Sequence, residues 1–180
     1  MSARDKILDT FLVLLREQST VSTRSLAQST GLSKGTLYHH FKDMNEICVH
    51  AHELSFQKIM DDLPRDLPGS MEKNLLTFSR NFVKVMGDAG EQRVIKYFHL
   101  AAENIPDLKS SLQERVIRLR ELVESFLPKG LAQREREVLA DLHLFQLQGI
   151  AMQEHLFEGG KDRELRLKRS VDTLVRLAFV

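Results

Sequence analysis

Apolar residues recur along this chain at three- and four-residue intervals, and no segment alternates apolar with polar positions as a half-buried strand does. The pattern predicts an all-α protein of about nine helices. In the first, expected over 2–16, Ile7, Leu8, Phe11, Leu12 and Leu15 share one face, and Ser2 with Asp5 three residues on has the spacing of a capping box. After the break "EQSTVST", Ser22 is placed to cap a short helix over 23–30 whose Leu26 and Ala27 face inward. Gly31 follows, where a helix C-terminus takes a residue tolerant of positive φ. Ser33 caps the next helix, which Leu37 and Phe41, four residues apart, anchor inward. A short helix, a tight glycine turn and a second short helix, packed on an amphipathic first helix, form the layout of a helix-turn-helix.

A longer helix over 43–62 carries Ile47, Ala51, Leu54 and Ile59 and ends before "LPRDLPGS", the clearest linker in the chain. This helix is expected to bridge an N-terminal helix-turn-helix domain, 1–45, and a helical domain over 46–180. Five further helices are expected at 71–87, 91–104, 107–127, 131–157 and 162–178, with breaks at Gly87-Asp88-Ala89-Gly90, Pro106, Pro128-Lys129-Gly130 and Gly159-Gly160. The 107–127 helix keeps a near-heptad stripe of Leu108, Leu112, Val116, Leu119, Val123 and Phe126. The 131–157 helix has apolar groups around most of its circumference, which implies burial on two sides. One of its faces holds Leu142, Phe145, Gly149, Met152 and Leu156, with a glycine that lets another helix approach closely. The last helix adds Val171, Leu174, Val175 and Ala178. Such a pair suits a homodimer interface, with burial wholly inside one subunit as the alternative.

Composition narrows the function classes. A hydrophobic content of 42% over 180 residues is ample for a core. The single cysteine, Cys48, excludes an intrachain disulfide framework and a cysteine-based zinc finger, and suits a reducing cytosol. With no long uncharged apolar run, neither a signal peptide nor a membrane span is expected, and the cytoplasm is the default compartment. Net charge is only +1, yet residues 1–42 hold six basic groups (Arg4, Lys6, Arg16, Arg24, Lys34, Lys42) against three acidic ones (Asp5, Asp9, Glu17). An enzyme reading would rest on His39 and His40, on His50, His52 and Glu53, or on His99 with Glu103. None of these has the HExxH or paired-cysteine spacing of a metal site, so no metal, cofactor or catalytic residue is expected. A redox-sensor reading would rest on Cys48 alone, and lone cysteines are more often small buried hydrophobes.

The segment "TRSLAQSTGLSKGTLYHHFKDMNEI", preceded by "ILDTFLVLLRE", resembles the TetR/AcrR family of bacterial transcriptional regulators, most sharply over residues 4–54. "TGLSKGTLYHHF" corresponds to the family's run of glycine, hydrophobic residue, serine, any residue, glycine, Thr-Leu-Tyr, any residue and His-Phe. The resemblance implies a homodimer that binds a double-stranded DNA operator and is released, as a repressor, by a small-molecule effector of largely apolar character. It makes Lys34 and Thr36 base readers. Tyr38, His39 and His40 fall on the phosphate side, Thr23 and Arg24 contact backbone phosphate, Ser33 opens the recognition helix, and Gly35 lets the backbone approach DNA. Two departures stand out. "EQSTVST" is about two residues short, with Ser19 in place of a customary glycine, and Met44 replaces a phosphate-binding lysine, for which Lys42 is the substitute.

In the C-terminal part, Phe78, Phe82, Met86, Tyr97, Phe98, His99, Glu103, His143 and Gln146 lie on helices that, if the chain follows the family, surround a ligand cavity. Aromatic and methionine positions at helical spacing are otherwise core, and the polar residues among them can hydrogen-bond across a dimer. A ligand-independent architectural DNA-binding protein is the competing reading, distinguished by a solid C-terminal core.

Overall fold

Serines set the helix starts. Ser2 and Asp5 form the expected capping box, with the Asp5 N–H reaching Ser2 Oγ at 3.1 Å and the Ser2 N–H reaching Asp5 Oδ2 at 3.1 Å. Ser22 accepts the Ser25 N–H, Ser33 the Thr36 N–H and Ser70 the Lys73 N–H. In the computed structural model, which describes residues 2–18, 20–63, 69–154 and 161–179, nine helices follow among the described residues. They are α1 (Ala3–Glu17), α2 (Thr23–Thr30), α3 (Lys34–His40), α4 (Met44–Asp62), α5 (Met71–Met86), α6 (Ala89–Ala101), α7 (Pro106–Glu124), α8 (Gln133–Glu154) and α9 (Lys161–Leu177). Ser19, the linker over 64–68, the end of the eighth helix at 157, Leu156 and the Gly159-Gly160 break lie outside the described residues.

Two compact units emerge. The first comprises Met1–Met60 with Ala89–Glu114, so α6 and the start of α7 join the N-terminal helices. Its core is the inward faces of α1 (Ile7, Phe11, Leu12, Leu15), α2 (Leu26), α3 (Leu37) and α4 (Ile47, Ala51), with Val94 and Phe98 from α6. Arg16 and Glu91 pair at 2.6 Å, and the Arg93 guanidinium donates to the Arg16 carbonyl at 2.6 Å, tying the C-terminus of α1 to α6. His52, buried on α4, meets the Phe98 ring edge-on at 5.1 Å, and its Nδ1 bonds Ser111 Oγ at 2.8 Å.

The second unit comprises Asp61–Asp88 and Arg115–Val180. α5 turns Leu75, Phe78, Ser79, Phe82, Val83 and Met86 inward, where Phe78 meets the rings of Phe82 and Phe126 at 5.7 and 5.8 Å. α8 turns in Ala140, His143, Leu144, Leu147 and Ala151, and α9 turns in Val171 and Val175. Arg80 pairs with Asp172 at 2.6 Å to link α5 and α9. Of the two-sided burial expected for the eighth helix, one face is satisfied within the protomer. The other, with Leu142, Phe145 and Met152, is exposed. Val116, expected in the α7 stripe, also faces outward.

Candidate nucleic-acid interface

The turn between α2 and α3 depends on Gly31, which adopts φ 68, a left-handed conformation that costs a residue with a Cβ about 1 kcal/mol. Thr30, 2% exposed, stitches the same turn. Its hydroxyl donates to the Leu26 carbonyl at 2.7 Å and accepts the Leu32 N–H at 3.4 Å. α3 is then pinned by Leu37 and Phe41, both fully buried, and the Arg4 guanidinium lies 5.0 Å over the Phe41 ring.

With those anchors inward, Ser33, Lys34, Gly35, Tyr38 and His39 are exposed, and Thr36 and His40 are half-buried at the edge of the same arc. Ser33 Oγ accepts the Thr36 N–H at 3.0 Å and lies 2.9 Å from Thr36 Oγ1. Thr23, at the start of α2, and Tyr38 join their hydroxyls at 3.1 Å across the two helices. Two side chains fifteen positions apart thus present one polar edge, flanked by exposed Arg24 and Lys42. A Cβ built on Gly35 would meet only Ser33 Oγ, at 3.5 Å, so the protein itself does not require glycine there. Met44 is half-buried and packed against the core, while Lys42 is exposed. Its backbone N–H bonds Glu46 of the first turn of α4, and the Glu46 N–H bonds Asp43 at 2.9 Å.

The residues anticipated for a ligand cavity divide between the two units. Tyr97 and Phe98 belong to the core of the first, where Tyr97 packs edge-on to Phe11 at 5.9 Å and donates its hydroxyl to the Cys48 thiol. Burial pushes both the Cys48 thiol and the Tyr97 phenol up to about 12. His99 is exposed and donates from Nδ1 to the Ile95 carbonyl of its own helix at 2.8 Å, and Glu103 is exposed as well. Phe78, Phe82, Met86 and His143 are buried together in the second unit, while Gln146 is exposed. Gln146 instead lines an open groove of about 570 Å³ between α8 and α9 with Gly149, Ile150, Arg169, Thr173 and Leu174.

That groove interrupts an apolar surface on which Leu142 is 52%, Phe145 62%, Met152 59% and Leu177 68% exposed. Leu177 was not among the residues anticipated there, although Ser170, Thr173, Leu174 and Leu177 already show the i, i+3, i+4, i+7 spacing of one face. Val171 and Val175, expected on the same surface, are instead buried in the protomer because they fall on the opposite side of α9. Leu174 and Ala178 are half-buried. The acid–base candidates do not converge. His50 sits between Glu53 at 2.9 Å and Glu46 at 3.7 Å, the His39 and His40 rings meet edge to face at 5.4 Å, and no group of three metal-ligating residues is assembled among the described residues.

Residues 13–51 match the family described as bacterial regulatory proteins, tetR family. No curated protein matches the chain in sequence. In fold it is similar to a transcriptional regulator from Rhodococcus sp. Rha1, with a TM-score of 0.82 and 19% identity over 99% of this chain and 96% of that one. A TetR-family member from Streptomyces coelicolor A3 has a TM-score of 0.74 and 19% identity over the full length of both chains. The multidrug binding protein EbrR, solved with imidazole, has a TM-score of 0.70 and 19% identity over 100% of this chain and 97% of that one. The matched family is one of regulators rather than enzymes. The segment 13–51 thus carries the sequence pattern of the bacterial tetR-family regulatory proteins, and the helical fold is shared with solved regulators over nearly the whole chain.

Proposed function

We propose that the protein is a cytoplasmic, homodimeric repressor that binds a palindromic double-stranded operator and leaves it when a small, largely apolar effector binds the C-terminal domain. The functional division is residues 1–45 for DNA and 46–180 for effector and dimerisation. The observation that carries the DNA reading is the Thr23–Tyr38 hydroxyl pair at 3.1 Å beside the exposed arc of α3, a polar edge held by a helix that Leu37 and Phe41 cannot release without unpacking the core. Lys34 and Thr36 read base edges. Thr23, Arg24, Tyr38, His39, His40 and Lys42 hold phosphates, and Gly35 admits the backbone. In the dimer the two recognition helices enter successive major grooves about 34 Å apart.

Dimerisation is supported by the exposed apolar surface of α8 and α9, larger in character than the scattered exposed residues a monomer carries. An effector site is supported by the polar groups set among aromatic residues of the second unit, and by a fold neighbour that is a multidrug binding protein. The effector selects a conformer in which α4 has moved and the recognition helices no longer match the operator spacing.

Binding to the DNA upstream of the protein's own gene tests this reading, and it should be sequence-selective and weaken steeply with salt. Tyr38→Phe should weaken all sequences alike, whereas Lys34→Ala should relax preference at one base position by about 1–3 kcal/mol. Equal, sequence-independent losses from both would reduce Lys34 to a phosphate contact. Operator affinity indifferent to every apolar ligand tried, with an unyielding C-terminal core, would favour the architectural reading.

A further inference from the structure

Ser79 on α5 and His143 on α8 form a polar pair inside the second unit, 0% and 3% exposed. Ser79 has one hydroxyl proton, and it goes to the Leu75 carbonyl one turn back, at 2.7 Å. The 2.8 Å contact between Ser79 Oγ and His143 Nε2 must therefore be donated by the ring. This makes the neutral imidazole the Nε2–H tautomer, and its Nδ1 is left as a bare acceptor. Nδ1 is buried and meets no hydrogen-bond partner among the described residues. Burial also pushes the ring down to about 4, so Nδ1 does not gain a proton at neutral pH.

A buried acceptor without a donor is uncommon in a native interior and calls for an occupant. Of its neighbours one turn away on α8, Leu139, Ala140 and Leu147 are apolar and Gln146 faces outward, exposed; Phe82 and Val83 lie beside Ser79 on α5. A buried water takes about three hydrogen bonds, and the buried side chains among these supply none. A molecule that brings its own apolar body and one donor suits the position better.

We propose that His143 Nδ1 accepts a hydrogen bond from the effector, so that the C-terminal domain selects aromatic, largely apolar molecules carrying a hydroxyl or N–H. This rests on the effector reading above and gives it a chemical class. Ethers, carbonyl compounds and carboxylates of the same shape bring only lone pairs to Nδ1 and are rejected. Ser79 is the positioning residue, since its bond to Nε2 is what turns the acceptor free.

Two measurements on the full chain test the assignment. Nitrogen-15 NMR of the histidine-labelled protein without ligand should show His143 neutral and protonated at Nε2. A ring protonated at Nδ1 overturns the proposal without any ligand. Calorimetric titration should then find 2-naphthol binding at least about tenfold more tightly than 2-methoxynaphthalene, the equivalent of one hydrogen bond, with 2-naphthoate weaker than either. His143→Gln, which keeps a donor toward Ser79 and removes the Nδ1 acceptor, should abolish the preference. His143→Asn, whose amide oxygen takes the place of Nδ1, should restore part of it. Equal binding of the naphthol and its ether overturns the role of His143 and leaves the effector reading standing. Binding of none of the three probes, with the tautomer as expected, counts against an effector site in this unit and removes the proposal with it.

Discussion

At Gly35 the two demands on a recognition helix separate. Glycine in a helix costs about 1 kcal/mol relative to alanine, and here a Cβ meets only Ser33 Oγ at an ordinary 3.5 Å. Gly35→Ala should therefore raise unfolding stability by about 0.5–1 kcal/mol in denaturant titration while weakening operator binding tenfold or more. An alanine variant that binds DNA as well as the parent would show that no backbone approach occurs there. Cys48 separates two readings in the same way. At 1% exposure, with its thiol pushed up to about 12, it has neither the access nor the thiolate that reactivity needs. Iodoacetamide at pH 8 should leave the folded protein unmodified for hours and label it rapidly in denaturant, and fast labelling of the native protein would restore the redox-sensor reading. Sequence exposed the question and burial answers it.

Between elements, the Ser79–His143 bond joins α5 to α8, and the burial of the His143 ring makes their packing sensitive to acid. The folded ring titrates at about 4 against 6.5 for an ordinary histidine, so between these values the unfolded chain binds the proton that the folded one refuses. Stability is fully present above pH 6.5, falls as pH drops, and by pH 4 the loss reaches about 3 kcal/mol. Urea unfolding at pH 7 and pH 4.5 should show the drop, and His143→Gln should remove most of this histidine's share. The helices themselves were legible wherever a local cap bounds the pattern, at Ser2, Ser22, Gly31 and Ser33. Where the apolar pattern runs past the helix, the end was not legible. α7 stops at Glu124, yet Phe126 and Leu127 continue into the core from the turn that follows. Least visible was which helix meets which. Periodicity marks Tyr97 and Phe98 as one apolar run with no sign that α6 packs on α1, a pairing held by Arg16 and Glu91, 75 positions apart. For that reason the exposed arc of α3, built from contacts within 40 residues, was legible in the sequence, whereas the division of Phe78, Phe82 and His143 from Tyr97 and Phe98 between two units was not.

For the whole molecule, the outer face of α8 and α9 has to be covered or tolerated. Phe145 is 62% exposed, so a charge placed there costs the protomer little, within about 0.5 kcal/mol. A Cβ on Gly149 meets nothing within 4 Å of the same protomer. Val175, by contrast, is 1% exposed and holds α9 from inside. These three positions distinguish a dimer surface from a merely greasy one. Phe145→Glu should leave thermal unfolding at high dilution unchanged, and Gly149→Leu, which removes a glycine from α8, should raise stability by up to about 1 kcal/mol. Both should nevertheless shift sedimentation toward the monomer, with the dimer dissociation constant raised at least a hundredfold for the charge. Val175→Ala should do the reverse, lowering unfolding stability by about 1–3 kcal/mol while the dimer persists. Because two half-sites must be gripped together for tight binding, operator affinity should follow the dimer and not the fold. Phe145→Glu and Gly149→Leu should lose it, and Val175→Ala should keep it at temperatures where the domain stays folded. A Phe145→Glu protein that sediments as a dimer and binds its operator normally would assign this face to some other partner.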